Sequence, residues 1–169
     1  MAKKVTPAAP VKSAEQLVFR HLLIGWGGLV VFILLGIFLE MLHGLKLDLY
    51  LDVRQETRRL MWILAHAHGT LFSLVHLGFA WSVRFASRWV ASPGSGIRSA
   101  SWMLTAGLIA MPLGFFLGGI WTYGGDPGIG ILLVPIGAVL MLIACLRVLI
   151  ELATIRSKSA ASFLHPSDV

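Results

Sequence analysis

The chain has 169 residues, 57% of them apolar and only 13% charged, with a net charge of +6 and a mean hydropathy of +0.82. Because soluble domains carry about 25% charged residues, this composition excludes an ordinary soluble domain and predicts a membrane protein. A membrane-spanning helix needs about 20 apolar residues, so the length allows about four spans with short loops. The Lys and Arg residues lie in predicted loops and tails, where they set topology and meet anionic lipid headgroups, and no nucleic-acid partner is expected.

Four apolar stretches predict the architecture. The predicted spans cover residues 17–43, 60–84, 99–122 and 129–152. Residues 1–13 are predicted to form a flexible cytoplasmic tail and residues 156–169 a polar cytoplasmic tail, which leaves a transmembrane domain at 14–155. The polar segment Gly44–Arg59 predicts an interfacial loop or a short helix. The sequence therefore predicts an all-α fold, a polytopic bundle of four transmembrane helices.

The distribution of basic residues predicts the orientation in the membrane. Ten of the Lys and Arg residues fall on the side of both termini, and four fall in the 44–59 segment. Positive charge is enriched on the cytoplasmic side of membrane proteins, so both termini are predicted to be cytoplasmic and the 44–59 segment external. The expected location is the inner membrane of a bacterium.

Polar side chains inside the first two spans follow the helical repeat. At 100° per residue, one third of the first span carries mostly small and ionisable residues: His21, Gly25, Gly28, Phe32, Gly36, Glu40 and His43. The same projection of the second span groups His66, Gly69, Thr70, Ser73 and His76. Polar side chains are costly against lipid, so the two stripes are predicted to face each other. His68 points almost opposite His66, toward span three, span four or another chain.

Depth along the helix axis separates these histidines. At about 1.5 Å per residue, His66 lies roughly 9 Å below the outer end of its span, level with Glu40 and His43. His76 lies beyond the midplane. His21 is predicted near the cytoplasmic end, a turn or more from His76, as an interfacial residue and not a ligand.

Histidines on two helices can supply the two axial ligands of a b-type haem. The segment LAHAHGTL at residues 64–71 is similar to the histidine-bearing helix of haem–copper oxidase subunit I and related nitric-oxide reductases, where such a histidine is an axial haem ligand. This local resemblance implies haem ligation by His66 or His68, but not oxygen reduction, because the other metal-binding helices of that family have no counterpart here. The residues assigned to cofactor binding are His66, His68, His43 and His76, with Gly36 and Gly69 making room for the porphyrin.

Other interpretations use the same residues. Glu40, His43 and His66 could bind a transition metal, since Glu-x-x-His is one half of a di-metal carboxylate site. His66, Ser73 and His76 could form a proton-transfer or quinone-interaction site. In the leading hypothesis, the chain binds haem b or a metal and serves electron transfer or a respiratory complex. The alternative is a non-catalytic structural or assembly subunit, associated with other membrane subunits, whose histidines only hydrogen-bond helices together.

The last two spans carry simpler signals. Gly107, Gly114 and Gly118 share one face, which predicts a groove for close helix contact. Arg147 and Glu151 lie one turn apart and are predicted to pair near the cytoplasmic interface. No P-loop, dinucleotide fingerprint, zinc-protease motif or nucleophile elbow is present, so the sequence identifies no catalytic residue and leaves enzymatic activity open.

Overall fold

The computed structural model describes residues 10–51, 56–89 and 94–164, with side chains described between residues 14 and 158 of these ranges. Most of the predicted N-terminal tail and the end of the predicted C-terminal tail lie outside the described residues. The predicted turn at Ser92–Gly96 lies partly outside them as well.

Helices account for nearly all of the described chain. They are α1 (Pro10–Gly44), α2 (Asp48–Leu51), α3 (Glu56–Ala86), α4 (Ser95–Ile120) and α5 (Leu133–Leu164), which follows a 3-10 turn at Ile129–Leu132. Four segments are long and apolar enough to cross a membrane: α1, α3, α4 and the 3-10 turn with α5. A helix satisfies all of its backbone polar groups internally, which a chain in lipid requires. The predicted all-α bundle of four transmembrane helices is therefore confirmed.

The bundle is open, because each long helix packs on its neighbours in the chain. α1 packs along α3, α3 along α4, and α4 along α5, whereas no contact joins α1 to α5 among the described residues. α1 and α5 thus lie at the two edges. Only 17% of the most apolar window of each edge helix is buried, compared with 33% for α3 and 44% for α4. The middle helices α3 and α4 therefore carry most of the core.

One end of the bundle, which we call the Arg58 end, contains the C-termini of α1 and α4 and the N-terminus of α3. The Nε of Arg58 donates a hydrogen bond to the carbonyl of Gly119 at 3.0 Å and its Nη2 to that of Ile120 at 3.5 Å. Terminal carbonyls of a helix have no partner within the helix, so Arg58 caps α4. The indole of Trp62 donates to the carbonyl of Phe116 at 3.2 Å and stacks on its ring. These contacts fix α3 against the end of α4.

Glycines bring α4 and α5 into close contact. A methyl group added at Gly137 would lie 2.7 Å from the backbone nitrogen of Met111, and one at Gly107 would lie 3.2 Å from the carbonyl oxygen of Gly137. Gly114 meets the 3-10 turn in the same way, 3.0 Å from the carbonyl oxygen of Gly130. The groove predicted from Gly107 and Gly114 is therefore occupied by the last span.

The predicted ion pair between Arg147 and Glu151 is not formed. Arg147 instead donates a hydrogen bond to the hydroxyl of Ser99 at 3.1 Å. The carboxylate of Glu151 lies against Gly94 and Gly96, where the N-terminus of α4 begins. The prediction was wrong because both side chains reach across to α4. Arg147 contacts the Ser99 hydroxyl, and the Glu151 carboxylate lies beside the helix N-terminus, whose partial positive charge attracts an anion.

Candidate functional site

Two histidines and one serine meet between three helices. His21 of α1 and His76 of α3 are both fully buried, and their Nδ1 atoms lie 2.7 Å apart. The Nε2 of His21 lies 2.7 Å from the hydroxyl of Ser101 on α4, which is also buried. The two imidazole rings stack with centroids 4.7 Å apart. We refer to His21, His76 and Ser101 as the histidine cluster.

Small residues on α1 allow this close approach. Side chains of α3 fill the space beside two glycines of α1, with Leu77 against Gly25 and Ser73 against Gly28. The Ser73 hydroxyl donates to the carbonyl of Gly69 at 2.7 Å, so its hydrogen bond stays within α3. The predicted facing of the two polar stripes is confirmed by these contacts.

The position predicted for His21 was wrong. It was expected at the interface, a turn or more from His76, but the structure buries it completely in hydrogen bond with His76. The reason is that α1 begins at Pro10, seven residues before the predicted start of the first span. His21 therefore lies eleven residues, about 16 Å, from the start of the helix.

The hydrogen bonds of the cluster restrict its protonation. One of the two Nδ1 atoms must donate and the other accept, because both lie on neutral or singly protonated rings at hydrogen-bond distance. The Nε2 of His76 is buried and has no hydrogen-bond partner in the part of the chain that the structure describes. The backbone of Leu104 lies close to the ring, but no atom meets hydrogen-bond geometry with that nitrogen. One polar atom of the cluster is thus left free.

Apolar side chains surround the cluster. Phe79 packs against His21 with ring centroids 4.4 Å apart. The neighbouring core includes Leu104 and Ile97 of α4 together with Val83 of α3. An unpaired polar atom costs free energy in apolar surroundings. The hydrogen bonds to His76 and Ser101 therefore hold the His21 ring in place.

His66 has a separate environment on the same face of α3. Its Nδ1 lies 2.7 Å from the carbonyl oxygen of Phe32, to which it donates, and its ring fills the space beside Gly36. Phe32 in turn fills the space beside Gly69. The two glycines predicted to make room for a porphyrin are therefore in contact with protein side chains. No second imidazole contacts His66 among the described residues.

His68 faces α4, the third predicted span, which is one of the directions predicted for this side chain. Its Nδ1 donates to the carbonyl of Leu64 at 2.9 Å, and its ring contacts Phe115 of α4 with centroids 5.0 Å apart. Donation by Nδ1 leaves the Nε2 atoms of both His66 and His68 as free lone pairs. Metal-bound histidines commonly donate their other nitrogen in this way.

The residues predicted to bind a metal are not brought together as a group. Glu40 and His43 are exposed near the end of α1, whereas His66 is directed at the Phe32 carbonyl. Across the described part of the chain, no three His, Cys, Asp or Glu side chains are arranged to hold a metal ion. Binding of haem or a metal by Glu40, His43, His66, His68 and His76 stays a prediction.

Sequence reasoning missed the two contacts of the histidine cluster, His21 with His76 and His21 with Ser101. His21 belongs to the predicted polar stripe of the first span, so an earlier start of that helix would have identified it. Ser101 gives only a weak signal, a single hydroxyl in an apolar span, and its pairing depends on how α4 packs. Comparison with protein-family models, with curated proteins and with solved structures finds no match to this chain.

Proposed function

We propose that this chain is a small integral membrane protein that transfers protons through its bundle by way of the histidine cluster. One observation carries the proposal: two fully buried imidazoles, 2.7 Å apart at Nδ1, continue to a serine hydroxyl on a third helix. Ionisable side chains within a membrane span are costly and are most often functional. Each neutral imidazole also has one nitrogen that donates a proton and one that accepts a proton, as proton transfer requires.

The transfer uses both nitrogens of each ring. A proton that binds the free Nε2 of His76 lets the proton on its Nδ1 pass to the Nδ1 of His21. The Nε2 proton of His21 then moves onto the hydroxyl of Ser101 as that hydroxyl releases its own hydrogen to a water molecule, the acceptor that this step requires. Each step forms one bond to hydrogen and breaks another, and each ring returns to a neutral state. Rotation of the rings then restores the starting tautomers, whereas transfer in reverse would return the proton and give no net flux.

The polar face of α3 supplies a continuation toward the Arg58 end. Thr70 and Ser73 lie between His76 and His66 on that face, which spans about 15 Å at 1.5 Å per residue. The hydroxyl of Thr70 is buried without a hydrogen-bond partner, like the Nε2 of His76. Two polar atoms on one helix face are therefore free to take part in proton transfer.

Proton flux into vesicles tests this function. The purified chain is reconstituted in liposomes holding a pH-sensitive dye, and a potassium diffusion potential drives protons inward. The wild type is expected to acidify the vesicles faster than protein-free liposomes do. His76→Asn keeps a hydrogen-bonding group near the position of Nδ1 but cannot relay a proton, so its flux is expected to fall to the protein-free rate.

His68→Asn is the matched control. His68 lies on the same helix and donates its Nδ1 to a backbone carbonyl, but it faces away from the cluster. This variant is expected to keep the wild-type flux. A wild type no faster than empty vesicles, or a His76→Asn variant as fast as the wild type, would contradict proton transfer and leave the histidines as hydrogen-bonding links between helices.

Haem or metal binding is a second candidate, favoured by the free Nε2 atoms of His66 and His68. A porphyrin between α1 and α3 would require Phe32 and the His66 ring to leave Gly69 and Gly36. His66 or His68 would then supply one axial ligand. An optical spectrum and elemental analysis of gently extracted protein test this candidate. A Soret band or stoichiometric iron, copper or zinc that His66→Ala abolishes would support it.

As part of the haem or metal candidate, we also propose that the chain serves a larger respiratory complex. It would there interact with a quinone or with other membrane subunits. The exposed apolar faces of α1 and α5 suit contact with lipid. We propose the inner membrane of a bacterium, with both termini cytoplasmic, from the distribution of Lys and Arg.

A further inference from the structure

A groove runs between α1 and α3 at the end of the bundle opposite Arg58. Its volume is about 600 Å³. Apolar side chains line most of it, including Val18 and Leu22 of α1 and Leu77 and Trp81 of α3. Two charged side chains, Glu15 and Arg84, lie at the same groove. Farther along, Leu77 packs against Gly25 and closes the space between the helices.

The charged and apolar parts of the groove lie at different depths. Glu15 is the sixth residue of α1, and Arg84 is the third residue from the end of α3. Both charged groups therefore lie toward the same end of the bundle, where lipid headgroups would meet helices that cross a membrane. Leu22 lies seven residues beyond Glu15, about 10 Å deeper along α1. The groove therefore has charged side chains, Glu15 and Arg84, at its entrance and apolar side chains farther along, where it is open to lipid.

The two charges at the entrance are not neutralised by each other. Both side chains are exposed, and no ion pair joins Glu15 to Arg84 in the part of the chain that the structure describes. One anionic and one cationic group at one entrance match a ligand that carries both signs of charge. A purely anionic ligand would be attracted by Arg84 and repelled by Glu15.

We propose that this groove binds a phospholipid with a primary-amine headgroup, such as phosphatidylethanolamine. Its phosphate pairs with Arg84, its ammonium donates hydrogen bonds to Glu15, and one acyl chain lies along Val18, Leu22 and Leu77. Arginine is well suited to phosphate because its planar fork presents several donors. A choline headgroup carries the same charges but has no N–H to donate to Glu15. The inference does not depend on proton transfer.

A second groove offers a matched comparison within the same chain. It lies on α5 and is lined by Leu149, Leu152 and Ala153, with Arg156 and Ser157 as its polar residues. Among its described lining residues, this groove presents a guanidinium but no carboxylate. It is expected to accept phospholipids without preferring an amine to a choline headgroup.

Native mass spectrometry of the full chain, titrated with lipids of identical acyl chains, measures the preference. The wild type is expected to bind phosphatidylethanolamine about three- to fivefold more tightly than phosphatidylcholine or phosphatidylglycerol, the size typical of an exposed charge pair. Glu15→Gln is expected to remove the preference for the amine lipid over the choline lipid. Arg84→Gln is expected to weaken binding of all three lipids, whereas Arg156→Gln leaves the amine preference unchanged.

Several outcomes would overturn the proposal. They are equal binding of the amine and choline lipids by the wild type, a preference that persists in Glu15→Gln, and a preference lost equally in Arg156→Gln. Both groove residues are exposed, so the variants are expected to keep the wild-type melting temperature. A melting shift in Glu15→Gln would be resolved with Glu15→Asp, which keeps the carboxylate and is expected to restore the preference.

Discussion

The interfaces at the two edges of the bundle are held by different contacts. Between α1 and α3, His21 and His76 share a hydrogen bond, and His66 donates to the backbone of α1. Between α4 and α5, the backbone at Gly137 lies directly against Met111. Both interfaces use glycines for close approach, but among the described side chains only the first contains a buried hydrogen bond between side chains. The polar side chains of the second, Arg147 and Glu151, reach only the N-terminal part of α4.

This difference indicates which interface bears the proposed function and which one only supports the fold. Because lipid is as apolar as the side chains, moving them from lipid into the bundle gains little free energy, so helices associate through close packing or through hydrogen bonds. Close packing stabilises but offers no group for chemistry. The polar interface stabilises and also holds the groups that the proposed proton transfer would use. Activity is therefore expected to depend on α1, α3 and the Ser101 side of α4, while α5 supports them.

The largest effect is expected from a substitution that disrupts the packed interface between α4 and α5. A side chain at Gly137 would meet the backbone and Cβ of Met111, which cannot move aside without separating α4 from α5. Gly137→Leu is expected to destabilise the protein by about 3 kcal/mol, measured by unfolding in mixed detergent micelles. Gly27→Leu is the control, because nothing lies within 4 Å of a methyl group at Gly27. An equal loss in both variants would contradict tight packing at Gly137.

A smaller effect is expected from the polar interface. His76→Leu leaves the Nδ1 of His21 buried without its partner, which costs about 1–3 kcal/mol. A double-mutant cycle with His21→Leu isolates the bond between the rings, and a coupling energy of about 1 kcal/mol is expected for an interhelical hydrogen bond in a membrane. Additive effects of the two substitutions would show that the rings do not interact.

The sequence predicted the helices better than the pairs between them. Hydropathy identified four spans because lipid demands about 20 apolar residues in each, a signal that does not depend on packing. Helical periodicity placed His66 and His76 on the face that meets α1. It could not place His21 opposite His76, since relative depth depends on where α1 begins. It could not identify Ser101 either, because neighbouring helices choose their partners through packing.

The prediction that Arg147 pairs with Glu151 failed for a related reason. Spacing along one helix shows which side chains can meet, but not which partner on another helix competes. Here the hydroxyl of Ser99 and the N-terminus of α4 compete successfully. The roles of Glu40, His43 and His68 depend on a ligand, which neither spacing nor packing identifies.

The middle interface, between α3 and α4, is expected to respond less strongly than either edge. Arg58→Gln removes the hydrogen bonds to the last carbonyls of α4 and is expected to cost about 1 kcal/mol. Arg59→Gln is the matched control, because the contact that Arg59 forms among the described side chains is a partly exposed ion pair with Glu56 at 3.8 Å. Equal stability of the two variants would show that capping by Arg58 contributes nothing.

The smallest expected effect concerns Tyr50 in α2, which stacks on Trp62 at the Arg58 end. Burial raises the pKa of the Tyr50 phenol above its ordinary value of 10.0, the Arg59 guanidinium opposes this shift, and the Glu40 carboxylate adds to it. A raised pKa means that folding favours the protonated phenol. Its contribution to stability is therefore complete below pH 10.0 and is lost as the pH rises through the higher folded-state pKa.

Tyrosinate absorbance measures this pKa directly. The chain contains two tyrosines, so Tyr123→Phe leaves Tyr50 as the sole source of the signal. The midpoint is expected above that of the unfolded chain, and Glu40→Gln is expected to lower it slightly. A midpoint equal to that of the unfolded chain would show that α2 does not hold Tyr50 against Trp62. The Arg58 end would then be fixed by α3 and α4 alone. Without a contribution from α2, the position of α1 would depend on its polar contacts with α3.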